Sequence, residues 1–170
     1  MKVAFFDRDG TIIEDYPDAK WTFIDKPSFV EGAIETLKNV RSKGYSVIII
    51  TNQYLINEGF ITLNQYNDIT NKMLDTLHNQ DIEILDVFYC PHLKMEECSC
   101  FKPKTGMIEQ ALKKYPTINM AKSFMIGDSL VDVELAANAN IQGFGIGVEK
   151  TFENKNIYQL TSVKDLLKYI

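Results

Sequence analysis

The stretch VAFFDRDGT, residues 3–11, decides how the fold of this chain is interpreted, because a short apolar run ends there in two carboxylates. The run over residues 3–6 contains no polar residue, which is typical of a strand covered on both faces in a parallel sheet. Asp7 follows the run directly, and at strand spacing Asp9 would lie on the same side. Two carboxylates this close repel each other, so their placement predicts that a cation lies beside them.

Three further apolar runs predict strands of the same buried kind, because they are short and rich in β-branched or aromatic residues. They cover residues 45–51, 84–89 and 123–127. Helical patterns lie between the runs, so each pair of strands is expected to be joined by a crossover helix. The prediction is an α/β fold with a three-layer, Rossmann-like, doubly wound parallel sheet.

The helices are predicted from apolar residues that recur three or four positions apart. Thr62 and Gln65 form a capping-box pattern at the start of one helix, and residues 162–170 predict a last amphipathic helix at the end of the chain. The apolar positions of the earlier helices are Ile34, Leu37 and Val40; Tyr66, Ile69, Met73 and Leu77; Met107, Ile108, Ala111 and Leu112; and Leu135 and Ala136.

The length and charge of the chain limit its class. Its 170 residues are enough for one substantial core and too few for two ordinary domains, so we expect a single domain over residues 1–170. A formal net charge of −5 lowers the expectation of nucleic-acid or membrane partners. No apolar run approaches the roughly 20 residues of a membrane span, and the start, MKVAFFD, reaches an acid too early for a signal peptide. We therefore expect a cytoplasmic monomer.

Acids and phosphate-binding groups are predicted to meet at one edge of the sheet. Ligands of such sheets bind beyond the carboxyl ends of the strands, which is where Asp7, Thr51 and Asp128 fall. Asp132 follows Asp128 by one helical turn, and together with Asp7 these acids form an oxygen-rich site suited to Mg²⁺. Each of these short acidic patterns, taken alone, is usually a turn or a helix cap. Their joint occurrence after apolar strands favours a catalytic site.

Phosphate ligands are expected at the same edge. Thr51 offers a hydroxyl, Asn52 lies beside it, and Lys102, which precedes a proline, offers a cation. Hydroxyl, amide and ammonium groups are the donors that a phosphate group needs. Thr51, Asn52 and Lys102 are therefore the candidate phosphate-binding residues.

A second metal site is predicted in the loop at about residues 88–104. Cys90, His92, Cys98 and Cys100 form a C-x-H-x5-C-x-C pattern that suits tetrahedral Zn²⁺. Four protein ligands would leave no open position, so the zinc would be structural and would hold Lys102 in place. Three clustered cysteines do not form a disulfide framework of a secreted domain. The alternative is three reduced thiols and a solvent-facing histidine.

The motifs DRDGT, Thr51, Lys102 and GDSLVD resemble, in this order, the four signature motifs of the haloacid dehalogenase-like phosphohydrolase superfamily, over about residues 1–147. The resemblance implies phosphoryl transfer through an aspartyl-phosphate with Mg²⁺ as cofactor. Asp7 would be the nucleophile, and Asp9 would protonate the leaving alcohol and then activate water.

The resemblance also assigns the surrounding groups. Mg²⁺ would be held by Asp7, Asp128 and the backbone carbonyl of Asp9. The candidate phosphate ligands would hold the phosphoryl oxygens. Thr11 and Asp132 would lie just outside the reacting groups, with Asp132 positioning Lys102 or a metal-bound water.

Within the superfamily, the zinc-loop pattern resembles the branch that contains D-glycero-D-manno-heptose 1,7-bisphosphate phosphatase and histidinol-phosphate phosphatase. These are small enzymes without a large cap domain. The segments TNQ, YCPH and MAKSFMIGD are similar to the heptose enzymes, whereas CPHLKMEECSC is more similar to the histidinol-phosphate enzymes. The resemblance implies hydrolysis of a small sugar phosphate, first of all the heptose bisphosphate, with histidinol phosphate as the alternative.

Three positions depart from the pattern of this branch and affect the expected specificity. Phe101 stands where an arginine commonly precedes Lys-Pro, and an aromatic ring cannot form a bidentate contact with phosphate. Tyr54 and Leu55 replace the small Ser-Gly of the heptose phosphatases, and Ser129 stands where a lysine often follows the metal-binding acid.

Other classes share part of the pattern. A receiver domain of bacterial signalling combines acids, Thr and Lys, but its phosphorylated Asp is expected after a central strand and away from the other acids. A polynucleotide 3′-phosphatase is disfavoured by the acidic charge and the lack of a basic, aromatic-interleaved segment. A catalytically silent phosphate- or sugar-binding protein remains the non-enzyme alternative, although binding alone does not need Asp9 beside Asp7.

Overall fold

The structure, a computed structural model, describes residues 1–149 and 156–170. In this part of the chain, six parallel strands form one sheet in the order β3-β2-β1-β4-β5-β6. The strands are β1 (Val3–Phe6), β2 (Ser46–Asn52), β3 (Ile84–Cys90), β4 (Phe124–Gly127), β5 (Gln142–Ile146) and β6 (Ile157–Leu160). All the pairings between neighbouring strands are parallel.

Helices cover both faces of the sheet. They are α1 (Asp18–Trp21), α2 (Ala33–Ser42), α3 (Leu63–His78), α4 (Gly106–Lys114) and α5 (Leu130–Asn138), with 3₁₀ segments at Met120–Lys122 and Val163–Lys168. Helices α2 and α3 and the last 3₁₀ segment pack on one apolar core, whereas α4 and α5 pack on the other. The predicted three-layer, doubly wound fold is confirmed.

The alternation of side chains along the central strands explains why they contain so few polar residues. On β1, Ala4 and Phe6 belong to one core, while Val3 and Phe5 belong to the other. Every position of β1 and β4 is buried. Because successive residues of a strand point to opposite faces, a strand with helices on both sides needs apolar residues throughout.

The predicted helix start at Thr62 is confirmed by its geometry. The Thr62 hydroxyl accepts the N–H of Gln65 at 3.1 Å, and the Gln65 side chain accepts the N–H of Thr62 at 2.9 Å. This reciprocal pair satisfies two N–H groups that the first turn leaves without helical partners. Helix α3 is consequently fixed at its start, and its apolar side chains reach the core.

Several elements differ from the sequence prediction. Strand β5 was not predicted, because Gly143 and Gly145 weaken the strand signal. A Cβ at Gly143 would lie 2.7 Å from Ala136 Cβ, so its absence allows α5 to pack closely on the sheet. Strand β6 and helix α1 are short and were not predicted either. The predicted last helix is a 3₁₀ segment, and β3 is a half-buried edge strand rather than one covered on both faces.

The strand order places the carboxyl ends of β1 and β4 at the switch point of the sheet. The chain moves from β1 outward through β2 and β3, and then returns to the other side of β1 with β4. Loops that leave adjacent strands in opposite directions open a crevice where ligands bind in folds of this type. Among the described helices, none is long and apolar enough to cross a bilayer.

Candidate active site

Three carboxylates converge at the carboxyl edge of the sheet, beside the switch point. Asp7 follows β1, Asp128 follows β4, and Asp132 lies in the first turn of α5. Each offers a carboxylate oxygen, and these oxygens lie within 4.8 Å of one another. Acids that the sequence places at separate strand ends are thus brought together in space.

One buried ammonium group, that of Lys102, bonds to two of these acids. Its Nζ lies 2.7 Å from Asp7 Oδ1 and 2.6 Å from Asp132 Oδ1. Only 2% of the lysine side chain is exposed, and Nζ also donates to the carbonyl of Ile50 at 3.1 Å. Three ionised carboxylates and one ammonium would carry two net negative charges. A single divalent cation would neutralise this cluster.

The crowding of acids alters their pKa values. Burial raises the pKa of Asp7 well above its usual range, and although Lys102 opposes this, the other acids add to it. Burial, and then the field of Asp132, raise the pKa of Asp128 to about 6. Burial acts to lower the pKa of Lys102, but Asp132 and Asp7 outweigh it and raise that pKa. A further cation beside these acids would lower the pKa of Asp7 and of Asp128 and so favour their ionised forms.

Ser129 and Gly127 fix the position of Asp132. The Ser129 N–H and hydroxyl donate to Asp132 Oδ2 at 3.0 and 2.6 Å, which caps the start of α5. Asp132 Oδ1 is left to accept from Lys102. A Cβ at Gly127 would overlap the Asp132 carboxyl group, so glycine is needed for this approach. Ser129, which departs from the sequence pattern of the branch, is thus part of the support for Lys102.

The Gly-Thr that follows the acid pair forms the turn that makes room for Asp128. Gly10 has a φ of +79°, and a Cβ there would overlap Asp128 Oδ2. A side chain at this position would be strained and would also displace the acid. Thr11 is buried in the same turn, and among the described residues its hydroxyl has no hydrogen-bond partner.

The Asp9 side chain lies apart from the acid cluster and bonds to groups that the sequence analysis missed. Arg8 Nε donates to Asp9 Oδ1 at 2.8 Å, and Arg8 Nη2 donates to Asp9 Oδ2 at 3.1 Å. Gln53 Nε2 donates to Asp9 Oδ2 at 2.6 Å. Burial acts against the charge on Arg8, but Asp9 outweighs it and raises the arginine pKa. The available signal was an arginine set between the two aspartates of the first motif.

Thr51, Asn52 and Lys102 lie together at the ends of β2 and of the cysteine loop. Thr51 is buried, and its hydroxyl accepts from Gln53 Nε2 at 2.9 Å. The Asn52 amide forms two hydrogen bonds with the backbone of Lys102. It accepts from the lysine N–H at 2.9 Å and donates to the lysine carbonyl at 3.3 Å. Asn52 thus holds the lysine backbone, and its contact with phosphate stays a prediction.

A cavity of about 640 Å³ opens above these groups. Asp7, Asp9, Thr51, Lys102 and Asp128 line its base. A cavity of this size accommodates a small metabolite.

The outer wall of the cavity combines both signs of charge with aromatic rings. Asp15 accepts the Trp21 indole N–H at 3.0 Å, and Asp18 accepts the Tyr54 hydroxyl at 2.9 Å. Burial and the neighbouring Asp18 raise the pKa of Tyr54 to about 12, so its hydroxyl stays a donor. Further lining residues are Lys94, Phe101, Lys104 and Glu134.

The four predicted zinc ligands form a second cluster. Sγ of Cys90, Cys98 and Cys100 and Nδ1 of His92 lie within 4.8 Å of one another, and neighbouring atoms are 2.8–3.8 Å apart. Tetrahedral zinc with bonds of about 2.3 Å to sulfur separates its ligand atoms by about 3.8 Å, so small movements would complete the shell. Burial and Cys100 raise the pKa of the Cys90 thiol, which would need a cation to ionise. The cluster is compatible with zinc.

The cysteine loop is joined to the active-site edge through several bonds. Its first predicted ligand, Cys90, ends β3, and Lys102 follows the last predicted ligand by two residues. Asn57 Nδ2 donates to Glu96 Oε2 at 3.0 Å, which ties the loop to the segment after β2. The loop therefore forms one wall of the cavity and delivers Lys102 to the acids.

The sheet has six strands in this order, and paired acids follow its first strand. A lysine and further acids lie at the same edge. This combination defines the class as the haloacid dehalogenase-like phosphohydrolases. The chain belongs to the family described as "Polynucleotide kinase 3 phosphatase", whose profile matches residues 2–144. Its relatives place it in the branch with the heptose bisphosphate and histidinol-phosphate phosphatases. The resemblance noted from the motifs is confirmed.

The relatives carry two kinds of name. The chain is 34% identical over 176 residues to D-glycero-beta-D-manno-heptose-1,7-bisphosphate 7-phosphatase of Haemophilus influenzae, covering 97% of this chain and 94% of that one. It is 36% identical over 148 residues to the histidine biosynthesis bifunctional protein HisB of Campylobacter jejuni, covering 86% of this chain. That match spans 42% of the bifunctional protein, so the chain corresponds to less than half the length of such relatives.

Solved structures support the fold. D,D-heptose 1,7-bisphosphate phosphatase from B. bronchiseptica, complexed with magnesium and phosphate, matches with a TM-score of 0.86, 22% identity and full coverage of both chains. A haloacid dehalogenase-superfamily hydrolase from Geobacter sulfurreducens matches with a TM-score of 0.63 and 12% identity over both whole chains.

Proposed function

We propose that this protein is a Mg²⁺-dependent phosphatase that hydrolyses a small phosphate monoester through a phosphorylated Asp7. The observation that carries the proposal is the acid cluster at the base of the cavity, in which three carboxylates face one ammonium. Two uncompensated negative charges in a buried site fit a divalent cation with oxygen ligands.

The proposed chemistry uses both aspartates of the first motif. Asp7 attacks phosphorus, and Asp9 gives a proton to the leaving oxygen as the ester bond breaks. Asp9 then takes a proton from the water that releases phosphate from Asp7. Mg²⁺, held by Asp7, Asp128 and the Asp9 carbonyl, would shield the nucleophile from the charge of the phosphate. Thr51 and Lys102 hold phosphoryl oxygens, with Asn52, Thr11 and Asp132 in support.

The first candidate substrate is D-glycero-D-manno-heptose 1,7-bisphosphate. It is supported by the 34% identity to a protein of that name over nearly the whole length of both chains. A bisphosphate needs cations at both ends. Lys94 and Lys104 line the outer cavity and would meet the second phosphate, where Phe101 replaces the arginine of the pattern.

The second candidate is histidinol phosphate, which carries a cationic amine. The observation that favours it is the group of acids on the outer wall, Asp15, Asp18 and Glu134, together with the rings of Trp21 and Tyr54. Carboxylates and aromatic faces attract ammonium groups. The 36% identity to the bifunctional histidine-biosynthesis protein supports the same substrate.

We also propose that the cysteine loop, residues 88–104, binds one structural Zn²⁺ through Cys90, His92, Cys98 and Cys100. This proposal rests on the number and softness of the ligands and on their closeness. The expected single domain over residues 1–170, the monomeric state, the cytoplasmic location and the absence of nucleic-acid and membrane partners remain predictions.

Phosphate release across a substrate panel tests the function. The panel contains both anomers of the heptose bisphosphate, other sugar phosphates, histidinol phosphate and a 3′-phosphorylated oligonucleotide, each with Mg²⁺. Asp7→Asn is the blank, and circular dichroism checks that it is folded. One strongly preferred small substrate, silenced by Asp7→Asn, is expected. No release from any member by folded, zinc-loaded protein would contradict the proposal.

Asp9→Asn separates an enzyme from a silent binding protein. An enzyme should lose most of its turnover, by roughly 10²–10⁴-fold for a missing general acid. A binding protein should keep its affinity for the phosphorylated ligand and have no turnover to lose. Calorimetric titration with the preferred panel member distinguishes these outcomes.

A further inference from the structure

Arg8 lies between the two candidate catalytic aspartates in sequence, yet its side chain is directed away from the cavity. It is only 1% exposed, and among the described residues that line the cavity it does not occur. Its guanidinium stacks over the Tyr66 ring, 4.9 Å from the ring centroid. Burial of a charged group is costly unless the group is paired and hydrogen-bonded, so its partners indicate what it does.

The guanidinium and Gln53 together hold both oxygens of Asp9. Nε and Nη2 of Arg8 form a two-pronged contact with the two carboxylate oxygens at 2.8 and 3.1 Å. Gln53 adds a third donor, 2.6 Å from Asp9 Oδ2. A bidentate arginine contact fixes the plane of a carboxylate as well as its position. Asp9 is therefore held more firmly than one hydrogen bond would hold it.

Both donors are themselves anchored. Arg8 Nη1 donates to the Thr70 hydroxyl on α3 at 2.9 Å, and Arg8 Nη2 donates to Gln53 Oε1 at 3.2 Å. Gln53 Nε2 also donates to the Thr51 hydroxyl at 2.9 Å. The same amide nitrogen thus joins Asp9 to the candidate phosphate ligand Thr51.

We infer that Arg8 and Gln53 are positioning residues that hold the Asp9 carboxyl at a fixed place relative to Thr51 and the phosphate. The inference rests on the proposed function, since Asp9 must act as its acid and base. In the first step a bond forms between an Asp7 oxygen and phosphorus, the ester P–O bond breaks, and the Asp9 proton moves to the leaving oxygen. Proton transfer of this kind is sensitive to placement, because misplacement of about 1 Å can lower a rate by roughly 10²-fold.

The dependence of rate on the leaving group tests this inference. A sugar or alkyl alkoxide needs a proton as it leaves, whereas p-nitrophenolate is stable without one. The ratio of kcat/KM for the preferred alkyl phosphate to that for p-nitrophenyl phosphate therefore reports help from the general acid in the first step. A loss of packing alone would lower both values together.

Four variants are compared with the wild-type protein. Asp9→Asn shows how far the alkyl-to-aryl ratio of kcat/KM falls when the general acid is absent. Arg8→Lys keeps the positive charge but cannot form the bidentate contact with Asp9. Gln53→Met keeps the shape of the side chain but removes the hydrogen-bond donor to Asp9. Thr70→Val is the matched control, because it removes a buried bond to Arg8 while leaving both contacts with Asp9.

We expect Arg8→Lys and Gln53→Met to lower the alkyl-to-aryl ratio by about 10-fold or more, towards the value of Asp9→Asn. Thr70→Val should lower the thermal midpoint and keep the ratio near that of the wild type. If Arg8→Lys does not fold, Gln53→Met decides.

Two results distinguish a failure of the proposed acid from a failure of the positioning role. An Asp9→Asn protein with an unchanged ratio would contradict the proposed acid, and the positioning role would fall with it. A changed ratio in Asp9→Asn, with an unchanged ratio in Gln53→Met or an equal change in Thr70→Val, would overturn the positioning role alone.

Discussion

Replacement of Asp128 by asparagine should stabilise the protein when Mg²⁺ is absent. Asp128 faces Asp7 and Asp132, and the single ammonium of the cluster bonds to the other two acids. Asparagine has nearly the same shape and no charge, so it removes repulsion without leaving a large void. The same change removes a proposed metal ligand, so it should also abolish stabilisation by Mg²⁺.

The magnitude follows from the shift in the pKa of Asp128. Its folded-state pKa is about 6, against 3.8 for the free residue. A carboxyl whose pKa is raised on folding favours the folded state fully below pH 3.8, and this contribution is lost as pH rises through 6. Two pKa units correspond to roughly 3 kcal/mol of lost stability at pH 7.5. We expect asparagine to recover about 2 kcal/mol of this, or ~4–8 °C in the thermal midpoint.

Thermal unfolding at pH 5 and pH 7.5, with and without Mg²⁺, measures this effect. No chelator is added, so that any zinc stays bound. The difference between Asp128→Asn and the wild type should be larger at pH 7.5 than at pH 5, and Mg²⁺ should stabilise the wild type alone. Asp68→Asn is the control, because Asp68 is an exposed carboxylate paired with Lys72 and should give only a small change at either pH.

Two outcomes would contradict repulsion as the cause of the expected stabilisation. If Asp128→Asn lowers the midpoint at pH 7.5 without Mg²⁺, the acid is a stabilising partner rather than an uncompensated charge. If its effect is the same at both pH values, the cause is packing rather than ionisation.

Three more substitutions probe the supporting structure. Lys102→Met leaves Asp7 and Asp132 buried without their cation, so guanidinium unfolding should show a loss of about 3–5 kcal/mol; an unchanged midpoint would mean that these acids are protonated. Cys100→Ser should lower the zinc content from one per chain and reduce kcat, because Lys102 follows this ligand by two residues; metal analysis and kinetics should change together. Gly10→Ala should weaken Mg²⁺ binding, measured by calorimetry, because its methyl group would displace Asp128; unchanged affinity would show that the turn can adjust.

The strands and acids could be predicted because they depend on local pattern. A continuous apolar run followed by a carboxylate indicates a buried strand end whatever the rest of the chain does, and Asp7 and Asp128 follow two such strands. Strand β5 was missed for the opposite reason. Its glycines are needed because Ala136 and Val133 of α5 pack closely against this strand and leave no room for side chains. Nothing in the sequence next to the glycines reveals that contact.

The environment of Asp9 could not be predicted for the same physical reason. Arg8 and Gln53 are far apart in sequence and meet because they follow β1 and β2, which pair side by side in the sheet. Helix α3 then brings the Thr70 hydroxyl to the guanidinium. Spacing patterns detect residues that share one element. They do not detect two residues that follow different strands and hold one carboxylate between them.

The position of Lys102 would give the proposed zinc loop a role in the proposed catalysis that does not require zinc to touch the substrate. Between Cys100 and Pro103 the chain must turn from the metal cluster into the base of the cavity, and Asn52 brackets the lysine backbone there. The lysine then places its charge between Asp7 and Asp132, whose repulsion would otherwise push them apart. A movement of the loop would therefore disturb both ion pairs at once. Rigidity of the loop is therefore a condition for the geometry of the proposed nucleophile, and four candidate zinc ligands in eleven residues would supply it when the metal binds.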